Sequence, residues 1–491
     1  MPINFKKLPP FFTSTTETSR EFTRAIKDGM IRKVGPSLYT NNIADDISHL
    51  VRQHWPIIIG LIMPGCVVSH RTAFESRISP AGKVYVTGEY PRSIPLPGVT
   101  FVQMKGPGAS DLDMRFMSVH MSSRPRMILE NLTPSRVKRD EESKNVTAAE
   151  LEHRLTDILN KEKEPGINLL RDQAREVSKA LGYEKEFAKL DAIIGALLGT
   201  RKATLTDGEA KAHQQGVPFD AIALTRVEAL RAALARETFP FMPTKAGSGS
   251  SFYNAGFFDA YFSNYIEGTQ FEVDEARNIV DTGLVPLTRP SDGHDIIGTY
   301  RVVSNSDDMR RVPRTPEEFV EILAARHSEI MAGRPEKRPG QFKVEVNFAG
   351  STKFVEPELV RGTLMQGFGL FTALEHPFAK ALLIMFLVAE THPFDDGNGR
   401  TARAMMNSEL VSAQQTRIII PSVFRNEYVS SLKRITNHLQ PESFIRVMSY
   451  AQTFAHSIDF SEYTLAKVRM AECNAFEDPA DDKRLLIYQH Q

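Results

Sequence analysis

A mainly α-helical chain with a mixed α/β unit at its N-terminus is what this sequence predicts. Three observations carry that reading. Residues 147–200 and 221–237 are helical in composition. The apolar run from Pro377 to Glu390 has the length and character of a buried helix. Residues 54–120, by contrast, are rich in Val, Pro and Gly and read mostly as strands and turns.

Length and composition frame these elements. The 491 residues allow about two to four domains at roughly 150 residues each. Hydrophobic content of 41% and charged content of 24% are ordinary for a globular protein. Sixty Lys and Arg balance sixty Asp and Glu, which argues against a whole-chain polyanion binder but leaves room for a local basic face. The two cysteines, Cys66 and Cys473, lie far apart, which argues against a disulfide framework or a thiolate metal site. Met1 to Pro10 has no apolar signal core. The most apolar short run, Ile57 to Met63, is far below the ~20 residues of a membrane helix. A soluble, cytoplasmic protein without membrane contact is expected.

In chain order, Thr16 to Gly29 reads as a short helix, capped near Thr16–Ser19 and stopped at Gly29. Met30 to Tyr39 alternates like a strand hairpin, and residues 1–135 form one expected domain. The charge run Lys138 to Lys144 reads as an exposed connection. A helical middle region follows over 136–245, interrupted at Pro165-Gly166 and restarted at Gly216-Val-Pro. Residues 246–252 are a Gly/Ser linker. A catalytic domain is expected over 253–460 and a C-terminal tail over 461–491. The pentapeptides starting at Gly298 and Gly340 are alike but too short to indicate duplication.

The first domain carries a resemblance of its own. Gly29 to Tyr39, Arg52 to Pro56 and Ser69 to Phe74 resemble the AbiEi family of antitoxins and transcriptional regulators. This implies a winged-helix-like α/β unit, with DNA as a candidate partner through Arg20, Arg24, Lys27, Arg32 and Lys33 on phosphates. The competing reading, a solvated basic face around a small core, is favoured, because these residues are few and show no base-reading pattern.

The chemistry concentrates in His392-Pro-Phe-Asp-Asp-Gly-Asn-Gly-Arg-Thr-Ala-Arg403. His392 ends the buried helix, Pro393 and the glycines interrupt it, and a second helix is expected from about Asn398 to Ala413. Gly397 and Gly399 flank Asn398, so backbone N–H groups at a helix N-terminus can turn toward a phosphate. Arg400 and Arg403 are one turn apart on one face, which suits a polyphosphate. Asp395 and Asp396 supply hard oxygen ligands of the kind Mg²⁺ requires. His392 can act as a base near neutral pH. Each feature alone has a bland reading as a turn, a structural histidine or solvated carboxylates. All of them within twelve residues is a much rarer coincidence.

The whole string matches the Fic family motif, His-x-Phe-x-Asp/Glu-Gly-Asn-Gly-Arg-x-x-Arg, without departure. The resemblance implies a mainly α-helical, Fic-type core carrying a β-hairpin flap. It implies AMP transfer from ATP, with Mg²⁺, to a Ser, Thr or Tyr hydroxyl of another protein. His392 would deprotonate that hydroxyl and Phe394 would pack inward to fix the loop. Asp396 would hold Mg²⁺, with Asp395 at the variable position. Gly397, Asn398, Gly399 and Arg400 would cradle the α- and β-phosphates, and Arg403 the γ-phosphate. Pro339 to Phe354 looks like the flap, on which the family docks an extended segment of its target. Arg425 to Leu432 resembles the late helix near the adenine, with the register open between Thr436 and Asn437. Asn407 is a further nucleotide-side candidate.

Ser263-Asn-Tyr-Ile-Glu-Gly268 matches the family's inhibitory motif, Ser/Thr-x-x-x-Glu-Gly/Asn. Ser263 and Glu267 share a helical face, and Gly268 permits close approach or termination. By resemblance this is an inhibitory helix near 258–270, in which Glu267 takes Arg403 away from the γ-phosphate. Three other functions stay open: Doc-like phosphotransfer, removal of AMP with Glu267 aligning a water, and a DNA-binding regulator that uses this domain as a nucleotide sensor. The target protein and any homo-oligomer stay undetermined.

Overall fold

The computed structural model describes residues 3–135 and 141–489, in two units, 1–216 and 217–491. Lys138 to Asp140 of the expected charged connection lie outside the described residues.

In the first unit, β1 (Phe11–Thr13), β2 (Arg32–Gly35) and β3 (Leu38–Thr40) form an antiparallel sheet in the order β1-β3-β2. Between β1 and β2 stands α1 (Ser19–Lys27), whose Phe22 and Ala25 face inward. One helix occupies this interval, where a helix-turn-helix needs two. Of the candidate phosphate contacts, Arg32 is spent internally, donating to the carbonyls of Asn42 and Asp45.

The expectation of strands and turns over 54–120 needs correction at two places. Ile57 to Met63 falls mostly in a helix, α3 (Trp55–Ile62), which follows α2 (Ile47–Gln53). Another helix, α4 (His70–Glu75), follows the short strand β4 (Val67–Val68). The remaining strands are β5 (Lys83–Gly88), β6 (Arg92–Leu96), β7 (Val99–Lys105), β8 (Met114–Phe116) and β9 (Val119–Met121). With β4 they make a six-stranded sheet in the order β6-β7-β5-β4-β9-β8. Strand β5 buries both faces, with Val84 and Val86 on one and Tyr85 and Thr87 on the other.

Next come α5 (Arg124–Asn131), α6 (Ala148–Leu181), α7 (Glu184–Leu197) and α8 (Gly208–Gln214). A reciprocal cap between Thr147 and Glu150 starts α6. The break expected at Pro165-Gly166 appears as a kink at Lys163, φ 59°, inside one long helix. Proline removes a backbone donor and crowds the preceding turn, so the distortion sits just upstream of it. The region 136–245 is not one body: α6, α7 and α8 belong to the first unit and the rest to the second.

The second unit is helical: α9 (Ala221–Leu234), α10 (Gly249–Ile266), α11 (Val273–Thr282), α12 (Pro290–Val303), α13 (Ser306–Arg310) and α14 (Pro316–Ile330) precede a short hairpin. The hairpin pairs β10 (Phe348–Ala349) with β11 (Thr352–Lys353) across Gly350. Then come α15 (Pro357–Thr372), α16 (Pro377–Thr391), α17 (Asn398–Ser412), α18 (Arg425–His438), α19 (Glu442–Ser457) and α20 (Tyr463–Glu472). The apolar helix α16 runs through the core, with Leu382 to Val388 all buried.

Two boundaries move. Residues 246–252 are not a free linker, because α10 already begins at Gly249. Glycine and serine are poor helix formers; burial of Phe252, Phe257, Phe258 and Phe262 stabilises this helix instead. Residues 461–489 are not a loose tail either, since Ala466, Met470, Cys473 and Leu485 pack into the same core as α10. Both cysteines are free and buried. Among the described residues no helix is long and apolar enough to cross a membrane.

Candidate active site

The site is built where α16 hands over to α17. His392 caps α16 in the left-handed region, φ 50°, and Gly397 caps the start of α17 at φ 72°. A Cβ at Gly397 would strike Met331 and approach His327, so both the backbone angle and the space require glycine. Asn398 closes the loop on itself. Its Oδ1 accepts the Phe394 N–H at 2.8 Å and its Nδ2 donates to the Phe394 carbonyl at 2.9 Å. The side chain of Asn398 is thereby committed to the loop, and its backbone N–H is what remains at the helix N-terminus.

Phe394 is fully buried and stacks on the His327 ring at 3.6 Å. His327 Nδ1 accepts the Gly340 N–H, so Nε2 carries the ring proton and donates to the Asp396 carbonyl at 2.9 Å. Burial pushes the pKa of His327 down to about 4 and keeps the ring neutral in this double role. Nothing local in the sequence marks His327; it reaches the loop only through the packing of α14.

His392 Nδ1 lies 3.3 Å from the Ala389 carbonyl and donates to it, which leaves the Nε2 lone pair free. The ring is covered by Phe354 at 3.8 Å, nearly parallel. Burial lowers its pKa to about 4; the Ala389 carbonyl opposes this shift and the Lys343 charge adds to it. The imidazole is therefore neutral at pH 7, with its one proton on Nδ1.

Lys343 is itself buried, its pKa pushed down to about 8 by desolvation, with Nζ on Asn347 Oδ1 at 2.7 Å. Its backbone N–H donates to the Pro393 carbonyl at 2.9 Å, and Asn347 Nδ2 donates to the Phe394 carbonyl at 2.9 Å. Residues 343–347, expected to pair as hairpin strands, instead tie the base of the flap to the loop. Val344 and Phe348 stay exposed on its outer side.

The two aspartates differ. Asp395 is clamped by Arg338 through two bonds of 2.9 and 2.7 Å. Asp396 accepts the Gly397 N–H at 2.7 Å, and its side chain is 41% exposed. It is the freer carboxylate next to the helix N-terminus.

Two polar stripes face each other, one on α10 and one on α17. Arg403 donates from Nε to Ser263 Oγ at 2.9 Å, and from Nη2 to the Ser263 carbonyl at 2.9 Å and Glu267 Oε1 at 2.8 Å. Arg400 pairs with Asp295 at 2.6 Å, and Arg334 clamps both oxygens of that carboxylate. Asn407 is buried, its amide shared between Asp259 and the backbone of Ile418. Its Nδ2 ties α17 to Asp259 of α10, and its Oδ1 accepts the Ile418 N–H, so the polar atoms of the side chain are engaged within the protein. Thr436 bonds Glu390 at 2.7 Å, and Asn437 is exposed.

Glu267 is the C-cap of α10, followed by Gly268 at φ 97°. Burial opposes its ionisation, but the charge and hydrogen bond of Arg403 outweigh this, and its pKa falls. A Cβ at Gly399 would collide with the Glu267 carboxylate, so this acid sits against the first turn of α17. A carboxylate there lies beside a helix N-terminus, which favours negative charge.

Residues 318–410, spanning α14 to α17, match the Fic/DOC family. The chain carries a Fic domain. The protein named Protein adenylyltransferase Fic from Drosophila yakuba is 28% identical to it over 197 residues, 38% of this chain and 39% of that protein. The protein of the same name from Drosophila melanogaster is 27% identical over 197 residues, with the same coverage. The chain thus spans about two fifths of the length of these relatives. A Fic domain containing signaling protein from Bacteroides thetaiotaomicron aligns over 50% of this chain and 97% of its own, at 14% identity and a TM-score of 0.37. Within the Fic domain, the motif residues His392 to Arg403 converge on one loop and one helix N-terminus. Asp295, His327, Arg334, Arg338, Lys343, Asn347 and Phe354 support them from elements that sequence reading left unassigned or identified only as a flap.

Proposed function

We propose that this chain is a protein adenylyltransferase that moves AMP from ATP to a Ser, Thr or Tyr hydroxyl of a target protein, and that Glu267 restrains it. The observation that carries the proposal is a neutral His392, with Nε2 free, beside a helix N-terminus against whose first turn Glu267 lies while holding Arg403. ATP phosphates would lie on the backbone N–H groups of Gly397 to Arg400, with Arg403 on the γ-phosphate. His392 Nε2 takes the proton of the target hydroxyl, the oxygen bonds to the α-phosphorus, and the bond to pyrophosphate breaks. Asp396, which is 41% exposed and meets Arg400 only at 3.8 Å while Asp395 is clamped by Arg338, fits a divalent cation; Mg²⁺ would offset charge on the phosphates there. The exposed Val344 and Phe348 mark the flap face along which an extended target segment would lie.

Labelled ATP tests the reading. The Glu267→Gly protein is incubated in a lysate with α- or γ-labelled ATP, with and without the further change His392→Ala. Label should reach protein from the α-position only. His392→Ala should cut it by about 10²- to 10⁴-fold, the usual loss for a general base, with ATP still bound. Transfer from the γ-position would mean phosphotransfer, and an active alanine variant would remove His392 as the base.

A further inference from the structure

At the opposite end of α10 from Glu267 lies a cavity of about 290 Å³. Its polar lining is one-sided: Lys245, Arg310, Arg417 and His456 contribute to it, and no carboxylate is among its described lining residues. The other wall is apolar, with Phe252, Ile419 and Phe460.

Two buried side chains in this lining carry donors without acceptors. Arg417 is 4% exposed. Its Nη1 donates to the Val303 carbonyl at 2.7 Å and meets Asp259 at 3.3 Å, while Nη2 has no partner. Its guanidinium lies over the Phe252 ring, 4.5 Å from the centroid. Gln415 is fully buried, accepts from Gln452 through Oε1, and leaves its own Nε2 unpaired. Native interiors rarely leave such donors orphaned. The first turn of the 18-residue helix α10 adds its own preference, since Ser248 makes no side-chain cap and the unsatisfied N–H groups there favour negative charge.

We propose that this cavity is a binding site for a small organic anion. A phosphate or carboxylate head would be held by Arg417, Lys245 and Arg310, and an aromatic or aliphatic body would rest on Phe252, Ile419 and Phe460. Water alone would satisfy the donors but leave the apolar wall and the charges of Lys245 and Arg310 unmatched. An occupant touches the same helix that ends on Glu267.

Calorimetry on the full chain tests this with phenyl phosphate and benzoate as probes, and with phenol and inorganic phosphate as controls. At least one organic anion should bind saturably, and tighter than both controls. That affinity should fall at least tenfold in the Lys245→Ala/Arg310→Ala variant. Both residues are exposed, so the fold should survive, as a thermal melt would verify. Saturating ATP should not displace the probe. Which of the two anions binds separates a phosphate site from a carboxylate site. Absence of binding, equal affinity for either control, an unchanged affinity in the double variant, or displacement by ATP would each overturn the proposal.

Discussion

Replacing Glu267 with glycine should release the enzyme, and the structure sets the size of the effect. Glu267 holds Arg403 through one bond of 2.8 Å, with the acid 36% exposed and the arginine side chain 4% exposed. The variant removes that bond and leaves Arg403 anchored by its two bonds to Ser263. The guanidinium should thus stay placed for a γ-phosphate. A charge-assisted contact is worth about 1.5–3 kcal/mol when shielded from water. The exposure of Glu267 argues for the lower end, because solvent screens such pairs. Since ~1.4 kcal/mol is a factor of ten, productive ATP binding should rise about tenfold. Clearing the carboxylate from the face of Gly399 adds to this, because it removes a negative charge beside the helix N-terminus where the phosphates are proposed to lie. The assay is incorporation of α-labelled AMP, seen first as self-modification, at sub-saturating ATP. Glu267→Gly combined with Arg403→Ala should lose the gain, because the freed arginine is its source. A silent single variant, or a double variant as active as the single one, would refute the reasoning. It would leave the Glu267–Arg403 pair as a packing contact or assign Glu267 to the reverse, hydrolytic reaction.

Two further outcomes are expected. Asp396→Ala should raise the Mg²⁺ concentration needed for half-maximal transfer far more than Asp395→Ala, since Asp395 is already committed to Arg338; titrating both variants on a Glu267→Gly background checks this, and an equal or reversed effect would assign the loop differently. The pH dependence should lack a histidine limb near neutrality. With the pKa of His392 pushed down to about 4 by burial, the free base is present throughout pH 6–8 and is lost only as pH falls toward 4. A kcat/KM profile whose acid limb bends near 6.5 instead would mean that His392 is solvated as an ordinary histidine when it reacts.

How much of this was legible beforehand depends on the range of the interactions involved. Helix α16 and the start of α17 at Asn398 fall within a residue of their expected positions, because apolar patterning and glycine punctuation act over one or two turns. The same local logic put Arg400 and Arg403 on one face. It failed at 246–252, where a Gly/Ser composition suggests a linker. There a helix forms because its aromatic residues find a core that the sequence window does not contain.

By itself, then, the sequence determined the parts that neighbouring residues make: the histidine at the end of a helix, the glycine-flanked turn into the next helix, and the pair of arginines one turn apart. Tertiary structure alone decided how those parts are held and occupied. It placed the His327 ring under Phe394, Arg338 on Asp395 and Asp295 on Arg400, and it spent Asn407 on Asp259. It also set the Glu267 carboxylate against Gly399, from a helix more than a hundred residues upstream. Backbone conformation follows from contacts a few residues apart, whereas the partner of a buried charge is whatever packing brings to it. The pKa of His392, the freedom of Asp396 and the pairing of Arg403 depend on those neighbours.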